Sequence, residues 1–259
     1  MSDQPLLDLR DVSKSFGSVQ ALTDVDFEVR EGEVMALVGD NGAGKSTLIK
    51  CIAGIHAMDS GTMTFAGTPV TVNNPKDSAR LGIEVVYQDL ALCDNLDVVQ
   101  NMYLGREVHD RIQRLREAPM EAKAVQTLAG LRVTTIKSIR QQVATLSGGQ
   151  RQSVAVARAV MWNSRLVILD EPTAALGVAQ TEQVLALVKR LAENGLSVVL
   201  ISHNLHDIYE VADRITVLRL GRLVGIYDRA STTQQQVVHA ITAGQPTKVA
   251  GIVSDEVVV

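Results

Sequence analysis

Apolar residues fall into short, strand-length groups along the first ninety residues of the chain. Residues 6–12 and 21–29 alternate apolar and polar side chains, which predicts two half-buried strands. Residues 34–38 are continuously apolar, as expected of a strand that is buried on both faces. A glycine-rich loop and a helix over about residues 45–53 follow this strand. Further short strands are predicted within residues 61–72 and at residues 85–87.

The pattern changes at residue 89, where helical periodicity replaces the β-branched strand segments until about residue 163. Buried strands return at residues 166–169 and 198–201, with a helix over residues 183–192 between them. Strands that alternate with helices predict an α/β fold with a parallel sheet and right-handed crossovers. We therefore expect one domain over residues 1–241. Its predicted parts are a core of residues 1–88 and 164–241, an inserted α-helical subdomain at about 89–163, and a flexible tail at 242–259.

A phosphate-binding loop follows the strand at residues 34–38. The segment GDNGAGKS matches the pattern G-x-x-x-x-G-K-[ST] and lies between a buried strand and a helix. Its backbone N–H groups and the helix N-terminus favour phosphate oxygens. Lys45 is expected to contact the β- and γ-phosphates, Ser46 the Mg²⁺ ion and Thr47 the α-phosphate. The predicted phosphate-binding residues are Gly39, Asp40, Asn41, Gly42, Ala43, Gly44, Lys45, Ser46 and Thr47.

Two carboxylates end the strand at residues 166–169. Asp170 fits the role of a Mg²⁺ ligand, and Glu171 that of the general base that polarises the attacking water. Two solvated acids at a strand end are the alternative. His203 follows the neighbouring strand, where it is placed to hydrogen-bond the γ-phosphate and the water. A structural or solvent-facing histidine is the alternative there.

Residues 146–150 read LSGGQ, which resembles the signature of ABC ATPases letter for letter. Ser147 and Gly149 would present a hydroxyl and a backbone N–H at a helix N-terminus, a second anion site far along the chain from Lys45. The resemblance implies a RecA-like P-loop NTPase core with an N-terminal antiparallel β subdomain and an inserted helical subdomain. It also implies that ATP binds with Mg²⁺, and that the signature covers the γ-phosphate of a second subunit. The signature residues assigned to this role are Ser147, Gly148, Gly149 and Gln150.

Other segments extend the resemblance over nearly the whole chain. Gln88 resembles the glutamine of the family's Q-loop, which implies a contact with Mg²⁺ or the water and a catalytic role beside Glu171 and His203. Phe16 lies where the family places an aromatic ring that stacks on adenine, and a core residue is the alternative. Gly177 departs from the family pattern, because an aspartate that signals across the dimer is common at this position. The absence of this aspartate bears on how tightly the two ATP sites of a dimer are coupled, and not on whether ATP binds.

The segments at residues 101–107 and 171–177 resemble the carbohydrate importer branch of the family. This implies an ATPase that pairs with a second copy and powers monosaccharide import at the cytoplasmic face of the membrane. Membrane permease subunits and, indirectly, a sugar-binding protein are the implied partners. We expect the permease contact within residues 89–104, and packing of the subdomain's own core is the alternative for each apolar residue there. The candidate lining residues are Leu90, Leu92, Leu96 and Met102.

The composition of the chain disfavours several classes of protein. The 25 basic and 29 acidic residues give a net charge of −4, which disfavours nucleic acid as a partner. Two cysteines indicate no disulfide framework, and the sequence shows neither an N-terminal signal nor a run long enough to span a bilayer. Two alternatives to transport stay open: an ABC ATPase that acts on DNA or ribosomes, and a nucleotide-gated interaction module with little turnover.

Overall fold

The computed structural model describes residues 4–244. Two sheets organise them. The smaller is an antiparallel sheet of β1 (Leu7–Phe16), β2 (Val19–Val29), β4 (Ser60–Phe65) and β5 (Thr68–Val70), in the order β2-β1-β4-β5. One face of this sheet buries alternate side chains such as Leu7, Leu9 and Phe27. The antiparallel β subdomain is therefore present as predicted.

The larger sheet consists of β3 (Val34–Val38), β6 (Ile83–Val86), β7 (Leu166–Asp170), β8 (Ser197–Ile201), β9 (Arg214–Arg219) and β10 (Arg222–Asp228). Their order in the sheet is β10-β9-β3-β8-β7-β6. All neighbours in it are parallel except β9 and β10, which form an antiparallel pair. The residues of β3 and β8 are buried throughout, which explains their continuous apolar sequences.

Eight α-helices accompany the sheets within residues 4–244: α1 (Lys45–Ile52), α2 (Pro75–Leu81), α3 (Val98–Tyr103), α4 (Glu117–Gly130), α5 (Gly148–Val160), α6 (Val178–Glu193), α7 (Leu205–Val211) and α8 (Gln234–Ala243). Three of them, α3, α4 and α5, lie between β6 and β7 in sequence and share a core that includes Met102, Ala124 and Val154. This is the inserted helical subdomain, so the predicted fold class is confirmed. None of the described helices is both long enough and apolar enough to cross a bilayer.

Several element boundaries differ from the prediction. Helix α6 begins at Val178 rather than at residue 183, because its first turn carries no regular apolar spacing. Helices α2 and α7 were not predicted, because seven residues are too few to show a clear helical period. Helix α8 ends at Ala243, so Thr242 and Ala243 are helical rather than part of the predicted tail. The remainder of that tail, residues 245–259, lies outside the described residues.

A buried arginine joins the two sheets. Arg214, at the start of β9, is 8% exposed. Its guanidinium donates to Glu28 of β2 at 2.6 Å and to Glu33 before β3 at 3.4 Å. Because breaking a buried ion pair leaves an uncompensated charge, this contact fixes the antiparallel sheet against the parallel one.

Helix α6 begins without a side-chain cap. Gly177 is its N-cap residue in an extended conformation with φ −75° and ψ 164°, and a Cβ at this position would meet no atom within 4 Å. Aspartate in place of Gly177 would therefore fit. Its carboxylate would accept hydrogen bonds from free N–H groups of the first turn.

We expect Gly177→Asp to be more stable than Gly177→Ala by about 1 kcal/mol, since alanine restricts the backbone equally but provides no cap. Urea unfolding of the two variants measures the difference in free energy of unfolding. Equal stabilities would show that the first turn of α6 gains nothing from a cap.

Candidate nucleotide-binding and hydrolysis site

The loop between β3 and α1 is packed against both sheets through its glycines. A Cβ on Gly39, at φ 150°, would lie 2.2 Å from the carbonyl oxygen of Leu218 in β9. A Cβ on Gly44, at φ 102°, would lie 2.8 Å from the carbonyl oxygen of Ala21 in β2. Only glycine allows these approaches, so the sequence pattern of the loop is a packing requirement as well as a means of exposing N–H groups.

Lys45 is the first residue of α1 and folds back over this loop. Its Nζ donates to the carbonyl oxygens of Gly39 at 2.6 Å and Asp40 at 3.1 Å. Burial lowers the pKa of the Lys45 ammonium, and the nearby carboxylates of Glu171, Asp170 and Asp40 oppose this shift. The ammonium is thus held beside the helix N-terminus, where a phosphate would also meet free backbone N–H groups.

The parallel register of β7 and β8 brings the second group of predicted residues together. Asp170 is paired with Ile201, so the residues that follow each strand emerge side by side at one edge of the sheet. Burial raises the pKa of the Asp170 carboxyl, and the negative charge of Glu171 raises it further, whereas Lys45 lowers it. A cation in this cleft would relieve the cost of ionising Asp170.

Glu171 lies in the left-handed region at φ 50°, which costs a non-glycine residue about 1–2 kcal/mol. Its N–H donates to the carbonyl oxygen of Ile201 at 2.9 Å, which helps to hold this conformation. Its Oε2 lies 2.8 Å from Nδ1 of His203. The Glu171 side chain is 17% exposed and that of His203 is 77% exposed. The pair therefore has a sheltered carboxylate and an imidazole that extends towards solvent.

Residues of the phosphate loop and of the segments that end β7 and β8 line one cleft of about 560 Å³. The structure brings Gly39, Asp40, Asn41, Lys45, Ser46, Gln88, Asp170, Glu171 and His203 together there. Gly42, Ala43, Gly44 and Thr47 belong to the loop and α1 but are not among the lining residues. The Ser46 hydroxyl, the Gln88 amide and the Asp170 carboxylate are the oxygen ligands that Mg²⁺ prefers, so this part of the cleft fits that ion.

Six further lining residues were not predicted as site residues: Val38, Ala174, Ile201, Ser202, Leu205 and Ile241. Val38, Ile201 and Ser202 adjoin predicted site residues at the strand ends, whereas Ala174 and Leu205 lie in the segments that follow Glu171 and His203. Ile241 comes from α8, and no local sequence signal places that helix beside the phosphate loop. Only the tertiary packing of α8 near β9 and β10 does so.

Phe16 ends β1 and is 44% exposed, so the alternative of a core residue is wrong. Its ring makes an edge contact with His56 at a centroid distance of 5.0 Å. Lys14 Nζ lies 5.5 Å from the ring centroid. This exposed aromatic ring is suited to stacking on a planar base. His56 is a neighbour that the sequence did not indicate.

The signature residues lie away from this cleft. Ser147 is the N-cap of α5; its Oγ accepts from the N–H of Gln150 at 3.3 Å, and Gln150 Oε1 accepts from the N–H of Ser147 at 2.9 Å. A Cβ on Gly148 would lie 2.8 Å from Leu176 Cδ2, so the start of α5 packs closely on the loop that follows Glu171. Ser147, Gly148, Gly149 and Gln150 do not line the cleft of their own chain.

A smaller cleft of about 160 Å³ separates the helical subdomain from the parallel sheet. Arg106 crosses it, with an ion pair to Glu84 at 3.0 Å and its guanidinium 5.3 Å from the ring centroid of Trp162. Leu104, at its edge, is 44% exposed. Met102 also lines this cleft, but it is 1% exposed and part of the subdomain core, which favours the alternative of core packing for this residue. Leu90 and Leu92 are half-buried against the same core.

Comparisons with known proteins agree with this geometry. The ABC transporter family matches residues 22–174. The chain is 46% identical over 243 residues to a xylose/arabinose import ATP-binding protein of Sulfolobus acidocaldarius, covering 94% of this chain and 95% of the relative. It is 44% identical over 251 residues to a fructose import ATP-binding protein of Rhizobium meliloti, covering 95% and 96%. A ribose import ATP-binding protein of Yersinia pestis is 39% identical over 248 residues, covering 95% of this chain and 48% of the relative.

Solved structures show the same fold. The ADP conformation of an ATP-binding cassette of an ABC transporter matches with a TM-score of 0.79 and 25% identity, covering 92% of this chain and 95% of that one. A dimeric cassette in a post-hydrolysis state, bound to ADP and Pi, matches with a TM-score of 0.71 and 25% identity, covering 86% and 98%. This chain therefore belongs to the ABC transporter family and is one of its ATPases.

Proposed function

We propose that this chain is the ATP-hydrolysing subunit of a monosaccharide importer and that it works as a pair of identical copies. The observation that carries the proposal is that the residues predicted to contact phosphate do not all lie in one place. Lys45, Asp170, Glu171 and His203 share one cleft, whereas the signature residues at the tip of α5 do not line it. A phosphate in that cleft would be covered from the open side only by a second chain.

The residues of the cleft divide the work of hydrolysis. Lys45 and the loop N–H groups hold the β- and γ-phosphates of ATP. Glu171 accepts a proton from the attacking water as general base, and His203, in contact with Glu171, orients that water and the γ-phosphate. Ser46, Gln88 and Asp170 would hold Mg²⁺, which neutralises phosphate charge when bound. Phe16 supplies the stacking surface for adenine.

Pairing completes the site. We infer that Ser147, Gly148, Gly149 and Gln150 of one copy cover the γ-phosphate bound by the other copy. Hydrolysis removes this bridging group and lets the pair reopen. The similarity to a dimeric cassette bound to ADP and Pi supports this arrangement.

The sugar importer assignment is supported by the relatives whose names specify import of xylose and arabinose, fructose, or ribose. We infer a peripheral position on the cytoplasmic face, with permease subunits as direct partners and a sugar-binding protein as an indirect one. The helical subdomain at residues 89–163 would transmit closure to the permease. The net charge of −4 supports a partner other than nucleic acid.

The permease contact is best placed at the smaller cleft between the helical subdomain and the parallel sheet. Leu104 and the Arg106–Trp162 contact line it and combine exposed apolar and cationic surface. A groove between two parts of the domain would also change shape when those parts move relative to one another. Met102 lines the same cleft but is nearly fully buried, so we choose the exposed Leu104 as the residue that a permease segment would contact.

Glu171→Gln tests the hydrolysis and pairing steps together. The variant should bind ATP with a Kd within twofold of the native value, lose at least 100-fold in kcat, and accumulate as an ATP-bound dimer, because an amide cannot accept the water proton. Phosphate release and light scattering measure turnover and mass.

The matched control is Glu171→Gln combined with Lys45→Ala, which loses the charge-assisted phosphate contact and should stay monomeric with ATP. Normal turnover of Glu171→Gln would remove Glu171 from the role of base. A strictly monomeric Glu171→Gln protein with ATP would overturn the pairing.

Ser147→Arg tests which surface covers the phosphate. Introduced into the Glu171→Gln protein, it should leave ATP binding by the monomer unchanged within twofold and prevent the dimer, because the side chain fills the anion site at the tip of α5. Leu115→Arg is the control for the added arginine, since Leu115 is exposed on the helical subdomain outside both clefts. A dimer that still forms with Ser147→Arg would contradict the shared-site geometry.

Leu104→Arg tests the permease contact. The variant should keep its ATPase activity in solution and lose about tenfold in binding to membranes from source cells that lack this subunit, because a buried apolar contact would become a desolvated charge. Leu115→Arg should bind as the native protein does. Equal sedimentation of both variants with the membranes would exclude the smaller cleft as the docking site.

A further inference from the structure

A buried carboxylate connects the two loops that carry Glu171 and His203. Asp207, in the first turn of α7, is 2% exposed. Its Oδ2 accepts from Thr173 Oγ1 at 2.6 Å, and its Oδ1 accepts from Asn204 Nδ2 at 2.8 Å. Thr173 lies two residues after Glu171, and Asn204 directly follows His203. One side chain therefore bonds to both loops close to the two residues proposed for hydrolysis.

Capping of α7 does not account for the hydrogen bonds of Asp207 to both loops. Asn204 already caps this helix, because its side-chain oxygen accepts from the N–H of His206 at 3.0 Å. The bond from Thr173 adds nothing to that cap, since it reaches across from the loop after β7. Burying a carboxylate is costly unless its oxygens are hydrogen-bonded, so both donors are needed to keep Asp207 in place.

The loop after β7 also requires support. Glu171 has φ 50° and Ala175 has φ 59°, so two non-glycine residues of this short segment lie in the left-handed region. Strained backbone persists only where surrounding contacts hold it. Thr173 lies between these two residues in sequence, and its hydrogen bond to Asp207 joins the segment to α7. The hydrogen bond from the N–H of Glu171 to the carbonyl oxygen of Ile201 joins the segment to β8.

We propose that Asp207 is a positioning residue for ATP hydrolysis, which holds the loops of Glu171 and His203 in the one arrangement where their side chains meet at 2.8 Å. Asp207 does not itself line the nucleotide cleft. Loss of the hydrogen bond from Thr173 would let the loop after β7 relax, and the Glu171 carboxylate would then move away from the His203 ring. Phosphate binding at Lys45 would be unaffected. The inference rests on the proposed roles of Glu171 and His203 in hydrolysis.

Thr173→Val and Thr173→Ser form the test. Valine keeps the shape of threonine but lacks the hydroxyl, whereas serine keeps the hydroxyl. Thr173→Val should lose about tenfold in kcat, with the Kd for ATP within twofold of the native value, because a misplaced base affects the transition state and not phosphate binding. Thr173→Ser should turn over within about twofold of native. Phosphate release, nucleotide titration and the melting temperature are measured for each.

The outcomes separate this inference from the proposed hydrolysis itself. Native-like kcat in Thr173→Val, or an equal loss in Thr173→Ser, would overturn the positioning role while leaving Glu171 as base. A parallel loss of ATP affinity would also overturn it, since the residue would then act in binding. Should Thr173→Val melt below the assay temperature, Thr173→Ala replaces it, because alanine and serine differ only by the hydroxyl. Absence of turnover in the native protein, by contrast, would count against the proposed function.

Discussion

The close backbone approach around the phosphate loop is the constraint on which the rest of this structure depends. Gly39 faces a carbonyl of β9 and Gly44 faces a carbonyl of β2, so the loop is held where the parallel and antiparallel sheets meet. Gly221, in the turn between β9 and β10, also approaches Ala21 and accepts from the N–H of Thr23. The loop is thus shaped by both sheets, and any side chain at these glycines would separate them.

The parallel sheet supplies the second half of the site by bringing together residues that are far apart in sequence. Strands β3, β7 and β8 end at the same edge, so a lysine at 45, acids at 170 and 171 and a histidine at 203 converge without any local signal that they should. Ligands of open α/β sheets bind outside the carboxyl ends of the strands for this reason. The ion pairs of Arg214 then fix the antiparallel sheet, which carries Phe16, relative to that edge.

Much of this arrangement could be predicted from the sequence, because the decisive segments have strong local patterns. The fully apolar strands, the glycine-rich loop and the signature at residues 146–150 each indicate their own structure. Helices α2 and α7 could not be predicted, since seven residues give no reliable period. Asp207 and Ile241 could not be placed either, because Asp207 reaches the site through its hydrogen bond to the loop after β7, and Ile241 through the packing of α8 near β9 and β10. For Met102 the sequence left a permease contact and core packing both open, because its spacing along α3 does not show which face of the helix the subdomain covers.

The reciprocal bonds between Ser147 and Gln150 have a consequence for the energetics of association. They fix the tip of α5 in its final backbone conformation within a single chain, while the hydroxyl proton of Ser147 stays available because Oγ acts there as an acceptor. In the proposed pair, this surface would meet the triphosphate as a preorganised lid, and little conformational entropy would be lost at that end of the interface. The largely exposed His203 would add little to that cost, because its contact with Glu171 already holds the imidazole within a single chain.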